Sequence, residues 1–285
     1  MGHPIGHSLS PQMHNAALAR LAAEHPRLAG WEYFRFDIAP SDLARALGLF
    51  WGLGFRGINL TVPHKVLAVG MVASVDAFAR GAGAVNTLQR SDGGWSGFNT
   101  DGYGLAQAVR EDLGLGLRGA RVVVLGAGGA ARGAAAECLR SGCAGLWIAN
   151  RTPERALALV ADLAPLAGAI AVHAVDPAAG PFPEGAIIVN ATSAGLRAED
   201  PAPARLAGFR RPAAVFDMVY NPPSTRLLDE ARALGIPGAH GLGMLAHQGA
   251  KALEIWTGVP AAATSGTMRA AAAKALGYRA ANGSD

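Results

Sequence analysis

The sequence predicts an α/β chain of two domains. An N-terminal α/β domain precedes a doubly wound parallel-sheet domain, and C-terminal helices return to the first. Three observations carry this reading. Residues 121–132, RVVVLGAGGAAR, join a β-branched run, a glycine turn and a stretch of small helix formers. Beyond that stretch, short apolar runs alternate with helical ones, the pattern of a parallel sheet. The chain has 285 residues, 51% hydrophobic and 16% charged, enough for two domains of ordinary size with a sizeable core.

Residues 1–21 read as a loop and then an amphipathic helix, with Ser10 as a natural N-cap and Pro11 at the first helical position. Residues 31–38 alternate apolar and polar side chains and read as a strand. Ser41 is expected to cap a helix running to about Leu49, and residues 57–61 form a short strand. Val62-Pro63-His64-Lys65 then turns into a helix. A helix over 74–80, a strand over 84–88, a Gly93-Gly94 turn and a strand over 95–99 follow, and Asp101 caps a helix ending near Asp112. A linker at 114–119 leads to the strand at 121–125 and a helix over 130–139.

The second half reads as a strand at 145–150, a helix at 153–163 and a strand at 170–175. A proline-rich loop at 177–183, strands at 186–190 and 213–218, and helices at 229–234, 242–256 and 261–276 complete it, ahead of a frayed tail at 282–285. The expected domains are 1–101, completed by 240–280, and 102–239, with a cleft near 99–104.

Composition excludes several classes. No apolar run is long enough for a membrane span, and no charged segment followed by an apolar one marks a secretory signal. The formal charge is +4 with arginines scattered, so no nucleic-acid partner is indicated, while a small anionic substrate and a phosphorylated cofactor suit the balance. Cys138 and Cys143 are expected to be reduced packing thiols, and the compartment cytoplasmic. His3 and His7 lack the nearby thiol or carboxylate that a metal site needs.

The chemistry is sought at strand ends. Gly126, Ala127, Gly128, Gly129 and Ala130 would bring backbone and a helix N-terminus against a pyrophosphate, with Ala131 at the third glycine position of the fingerprint. About twenty residues on, where a Rossmann-like unit that binds NAD carries an acid, the chain reads Asn150-Arg151-Thr152, with Arg155 one turn later. A guanidinium there attracts a 2′-phosphate, and this points to NADP. In the first unit, Ser8, Ser10, Asn59, Thr61, Lys65, Asn86, Thr87, Asn99, Thr100 and Asp101 stand where hydrophobic runs end, suited to a polyhydroxylated ring. Lys65 is the candidate proton carrier, and Asp101 would orient it and bind a substrate hydroxyl.

These residues resemble the shikimate dehydrogenase family over essentially the whole chain. The motifs are GHPIGHSLSP at 2–11, GINLTVPHK at 57–65, GAVNT at 83–87, NTDG at 99–102, GAGGAAR at 126–132, NRT at 150–152, NATSAG at 190–195, DMVYNP at 217–222 and GLGMLAHQ at 241–248. The resemblance implies NADP-dependent interconversion of 3-dehydroshikimate and shikimate in the pathway to aromatic compounds. It implies that Ser8 and Ser10 bind the substrate carboxylate. Asn59, Thr61, Lys65, Asn86, Asp101 and Gln248 would face the ring hydroxyls, with Tyr220 at a further substrate position. Lys65 would be the acid/base paired with Asp101, Gly126 to Ala130 would cradle the pyrophosphate, Asn150 to Arg155 the adenosine phosphate, and Met218 and Gly241 would lie near the nicotinamide.

Members of the family carry a short hydrophobic strand ahead of the GHPIGHS loop, whereas this sequence begins at Met1. The expectation is a natural start further upstream, which an intact mass of the native protein would test. Two alternatives stay open: a dehydrogenase that also takes quinate or NAD, and a non-catalytic NADP-binding sensor on the same scaffold. A folate-type two-domain dehydrogenase fits the Ser8/Ser10 loop and Gln248 less well. Monomer and homodimer are equally compatible with the sequence.

Overall fold

A computed structural model of the chain describes residues 1–178, 182–197 and 199–278. The expected tail at 282–285 and part of the loop at 177–183 lie outside the described residues. The first unit holds α1 (Ser10–Glu24), α2 (Leu43–Gly52), β1 (Gly57–Asn59), α3 (His64–Leu67), β2 (Ser74–Val75), α4 (Ala77–Ala82), β3 (Thr87–Ser91) and β4 (Gly94–Phe98), and α5 (Asp101–Leu113) connects it to the second. The second holds β5 (Arg121–Leu125), α6 (Gly129–Arg140), β6 (Gly145–Ala149), α7 (Pro153–Ala167), β7 (Val172–Val175), β8 (Ile187–Asn190), β9 (Ala214–Asp217), α8 (Arg226–Ala233) and β10 (Gly238–His240). The closing helices are α9 (Leu242–Thr257) and α10 (Ser265–Ala275). No described helix is long and apolar enough to cross a membrane.

The second sheet runs β10-β9-β8-β5-β6-β7 and every pairing is parallel. Renumbered from β5, this is the order 3-2-1-4-5-6 of the dinucleotide-binding fold, with the strand order reversing beside β5. Val122 to Val124 and Ile187 to Asn190 are buried on both faces, which is why they read as unbroken apolar runs. On α6, Ala131, Ala134, Ala135 and Ala136 are fully buried, so this helix lies close against the sheet. Strand β10, Gly-Ala-His, lacks β-branched residues and escapes a reading based on them.

The first sheet is mixed. Its order is β1-β3-β4-β2, antiparallel except for the β2–β4 pair. Asp92-Gly93 is the two-residue loop between the paired Ser91 and Gly94, a sequence suited to a tight hairpin. The register sets Asn59 beside Thr87 and Thr87 beside Phe98. The polar residues therefore do not all stand at carboxyl ends of strands. Asn86 and Thr87 enter β3 at its start, and antiparallel pairing brings that start to the edge where β1 and β4 end.

Several local expectations change. Residues 31–38 form no ladder: Asp37 makes one isolated bridge to Gly2, and the Ile38 N–H donates to the Gly2 carbonyl at 3.1 Å. A strand needs a row of partners, and here only Gly2 lies alongside. The Met1 backbone nitrogen donates to the Asn59 carbonyl at 2.6 Å. Ser10 is the first residue inside α1, not its cap, and Ser41 falls in a 3₁₀ turn (Pro40–Asp42) before α2. Residues 74–80 split into β2 and α4, because the Asp76 carboxylate caps α4 through the Ala79 N–H. The closing helix expected over 261–276 is a 3₁₀ turn (Ala261–Ala263) followed by α10.

Helix α9 packs along α5 and against α10 and α1, so the end of the chain returns to the first unit. Cys138 and Cys143 are free and buried, and burial raises the Cys138 thiol well above its ordinary pKa.

Within α1, His14 is fully buried and stacked on Tyr33, with ring centroids 4.2 Å apart and planes 4° from parallel. Burial lowers its pKa from 6.5 to about 3. The folded state thus binds fewer protons than the unfolded one between those values, so stability falls as pH drops through that window. The expected loss at pH 5 relative to pH 7 is about 2 kcal/mol. Melting curves of His14→Phe at the two pH values should lack this part of the difference; an unchanged difference refutes the assignment to His14.

Candidate active site

Lys65 stands in α3 directly after Pro63 and His64, and Asp101 is the first residue of α5. The Lys65 ammonium donates to Asp101 Oδ2 at 2.6 Å. Their side chains are 13% and 4% exposed, so the pair is largely removed from water. Asp101 does not cap its helix as expected. The Asn99 carboxamide accepts the Asp101 N–H at 3.0 Å, which frees the Asp101 carboxylate to face Lys65.

Asn86 completes the hold on Asp101. Its Nδ2 donates to Asp101 Oδ1 at 2.8 Å and reaches Gln248 Oε1 at 3.4 Å. Its Oδ1 accepts the Thr100 N–H at 2.8 Å, which settles the orientation of the amide. Gln248 comes from α9 and donates its own Nε2 to the Leu245 carbonyl at 2.9 Å.

At the other end of the site, the Ser8 hydroxyl donates to the Ser10 hydroxyl at 3.2 Å. The Tyr33 hydroxyl donates to Asn59 Oδ1 at 3.0 Å, and burial raises its pKa against the opposing effect of a hydrogen bond with Ser10. Both protons of Asn59 Nδ2 are taken, by the Asn86 carbonyl at 3.2 Å and Thr87 Oγ1 at 3.0 Å. Asn59 therefore offers a ligand only an acceptor. Thr61 is half-buried, with its γ-methyl group against Gly2. Tyr220 sits apart from this network: its carbonyl accepts the Tyr278 hydroxyl, and its ring packs with the apolar cluster around α1 and α9.

The glycine turn faces the same place. Gly126 has φ +113°, and a Cβ there would come within 3.1 Å of the Ala191 carbonyl oxygen. Gly128, extended at φ −85°, precedes α6 and borders open space. A Cβ on Gly129 would lie 3.1 Å from Lys65 Cβ, and one on Gly133 would lie 3.1 Å from Asp101 Cβ. The first two turns of α6 thus lie against Lys65 and Asp101. Ala127 is half-buried between β5 and α6, and Ala130 lies in the first turn of the helix.

After β6, Asn150 Nδ2 donates to the Thr152 carbonyl at 2.9 Å, and Arg151, Thr152 and Arg155 are exposed; the strand itself ends on Asn150 and not on an acid, while Asp176 follows the neighbouring β7. Met218 and Gly241 meet back to back: the Gly241 position lies so near that a Cβ would be 2.1 Å from the Met218 carbonyl oxygen.

Two residues outside the sequence-based site belong to this architecture. Tyr33, together with Thr87, links the Ser8/Ser10 end to the Lys65 end. Asp217, fully buried, accepts from Asn190 Nδ2 at 2.8 Å, the Thr225 hydroxyl at 2.6 Å and the Val219 N–H at 3.0 Å. Burial raises its pKa, with the Thr225, Val219 and Asn190 bonds opposing. It fixes the two loops that carry Thr192 and Met218. The motifs NATSAG and DMVYNP held this signal, since an Asn and an Asp end neighbouring strands β8 and β9.

A dinucleotide-binding sheet whose glycine turn abuts a buried lysine–carboxylate pair defines a two-domain dehydrogenase. Three family profiles match along the chain: "Shikimate dehydrogenase substrate binding domain" over residues 1–88, "Shikimate / quinate 5-dehydrogenase" over 106–198 and "Shikimate 5'-dehydrogenase C-terminal domain" over 241–272. The shikimate dehydrogenase (NADP(+)) of Moorella thermoacetica is 43% identical over 266 residues, covering 90% of this chain and 86% of that one. The chain belongs to the shikimate dehydrogenase family.

Solved structures agree. A shikimate 5-dehydrogenase from Thermus thermophilus, in complex with shikimate, superposes with a TM-score of 0.81 at 38% identity over 97% of both chains. That enzyme has also been solved with NADP(H) and shikimate together. The 5-ketofructose reductase of Gluconobacter sp. strain CHM43 superposes with a TM-score of 0.80 at 31% identity, over 94% of this chain and 96% of that one.

Proposed function

We propose that the chain catalyses the reversible, NADP-dependent reduction of 3-dehydroshikimate to shikimate, with Lys65 as acid/base paired with Asp101. One observation supports the mechanism. Gly129 at the start of α6 lies so close to Lys65 that a Cβ there would be 3.1 Å from Lys65 Cβ, so the nucleotide-binding turn and the proton-carrying side chain are neighbours. The residues fit the cofactor: a glycine cradle narrow enough that a Cβ at Gly126 meets backbone, a free helix N-terminus, and two exposed arginines where an acid would exclude a 2′-phosphate. Bound NADP(H) supplies the hydride.

The chain's own residues do the rest. Ser8 and Ser10 hold the substrate carboxylate through their hydroxyls. Asn59 accepts from a ring hydroxyl, while Thr61, Asn86 and Gln248 complete the polar wall. Lys65 gives its proton to the carbonyl oxygen in reduction and takes it from the alcohol in oxidation, and Asp101 holds the ammonium in place between the two. Met218 and Gly241 border the nicotinamide side, and Tyr220 stands at a further substrate position. In this reading residues 1–101 with 240–280 form the substrate domain and 102–239 the NADP domain. The charged, water-soluble substrate and cofactor suit a cytoplasmic enzyme.

The assay is reduction of NADP and of NAD with shikimate and with quinate. Turnover of shikimate with NADP alone establishes the reading. Turnover of quinate moves the protein to the broader-specificity branch, which the similarity to 5-ketofructose reductase keeps in view. NADP binding without any turnover points to a sensor, against which the intact Lys65–Asp101 pair speaks. Arg151→Ala is expected to weaken NADP by about tenfold or more and NAD by less than about twofold, read as KM for each. Equal losses remove the 2′-phosphate argument.

A further inference from the structure

Thr87 is completely buried, so it cannot touch substrate or cofactor directly, yet its hydroxyl lies between two carboxamides of the site. Asn59 Nδ2 donates to Thr87 Oγ1 at 3.0 Å. The Thr87 proton is then free to go to Asn86 Oδ1, 3.1 Å away, in preference to the Thr100 hydroxyl at 3.3 Å. Asn86 in turn donates to Asp101 Oδ1, and Lys65 to Asp101 Oδ2. With Tyr33 donating to Asn59 Oδ1, one directed series of hydrogen bonds runs from the Tyr33 hydroxyl through Asn59, Thr87 and Asn86 to Asp101.

We propose that Thr87 is a positioning residue for the reaction. Its hydroxyl joins Asn59, which faces the substrate ring, to Asn86, which holds the Asp101 carboxylate toward Lys65. The proposal rests on Lys65 and Asp101 being the proton-transfer pair. Its physical basis is that buried amides sharing one hydroxyl cannot swing independently, and each N–H aimed at a carboxylate favours the charged form. A side chain of the same shape without the hydroxyl leaves the fold in place and removes the link. Asn86 then keeps its contacts with the Thr100 N–H and hydroxyl but loses the Thr87 hydroxyl, its one tie to Asn59 through a side chain.

The test compares wild type, Thr87→Val and Thr87→Ser. Thr87→Val is expected to lower kcat for shikimate oxidation about tenfold and to move the acid limb of the kcat–pH profile to higher pH. The NADP KM should stay within about twofold. Thr87→Ser, which keeps the hydroxyl, should restore both the rate and the profile. Labelling of Lys65 by an amine-acetylating reagent, followed by mass spectrometry across pH, reads the same pair without substrate and should shift in Thr87→Val alone. If wild type turns over no shikimate, the proposed reaction fails, and the labelling still decides on Thr87. A Thr87→Val protein that melts at lower temperature, with labelling and rate profiles superposed on wild type, has lost packing only, and the proposal is then wrong.

Discussion

Lys65→Ala is expected to lower turnover by about three orders of magnitude while leaving shikimate affinity within a few-fold. A positioned general acid/base contributes on the order of 10²–10⁴ in rate, and nothing else within bonding distance of Asp101 can carry the proton. The nearest donor, Asn86 Nδ2, is an amide. The variant also leaves the Asp101 carboxylate, 4% exposed, without its counter-ion. Losing one member of a buried pair costs about 3 kcal/mol or more, so Lys65→Ala should also melt earlier. Lys65→Met, which fills the same space without the charge, shares both defects; Lys65→Arg keeps the ion pair and should recover the stability but not the rate. The measurements are kcat at substrate saturation, shikimate binding by calorimetry, and melting temperature. Retained turnover with collapsed binding makes Lys65 a binding group and overturns the proposed chemistry.

Gly241→Ala is expected to be the most disruptive single-methyl change. A Cβ at this position would lie 2.1 Å from the Met218 carbonyl oxygen and 2.6 Å from its carbon. Both are backbone atoms in the segment that follows β9, so no rotamer change can make room. The segment is also held in place: the Met218 N–H donates to the Asn190 carbonyl at 3.0 Å, and the Gly241 N–H to the Val219 carbonyl at 3.1 Å. Relief therefore requires breaking the β9–α9 contact or moving the Asp217 loop. The expected cost is about 3 kcal/mol or more, with a matching fall in melting temperature and loss of measurable NADP binding. A variant that melts like wild type and binds NADP normally shows that the two backbones can separate without consequence.

The parallel half of the fold was legible because its strands are buried on both faces. Val122 to Leu125 and Ile187 to Asn190 have no polar side to confuse the reading, and the glycine turn after β5 marks the strand–helix junction. The substrate half was harder. Residues 31–38 alternate like a strand, but a ladder is a property of two segments, and only Gly2 lies alongside. Ser10 and Asp101 are good capping types, yet both direct their oxygens into the site, to Ser8 and to Lys65. The polar site residues were found singly, by residue type and by motif. Their connection through Thr87 was not, since it depends on the antiparallel register that sets Asn59 beside Thr87. Tyr33 was hidden for the same reason: its hydroxyl reaches Asn59 across 26 residues of chain.

Gly129 and Gly133 stand one turn apart on α6 and lie against Lys65 and Asp101 respectively. That helix begins at the glycine turn, so the segment that would receive the cofactor's phosphates packs directly against the proposed acid/base pair carried by α3 and α5. On the proposed assignment, cofactor and substrate are expected to be linked ligands. Any adjustment of the helix that one of them induces is felt at the other's site, and equilibrium reciprocity makes the two effects on affinity equal in size.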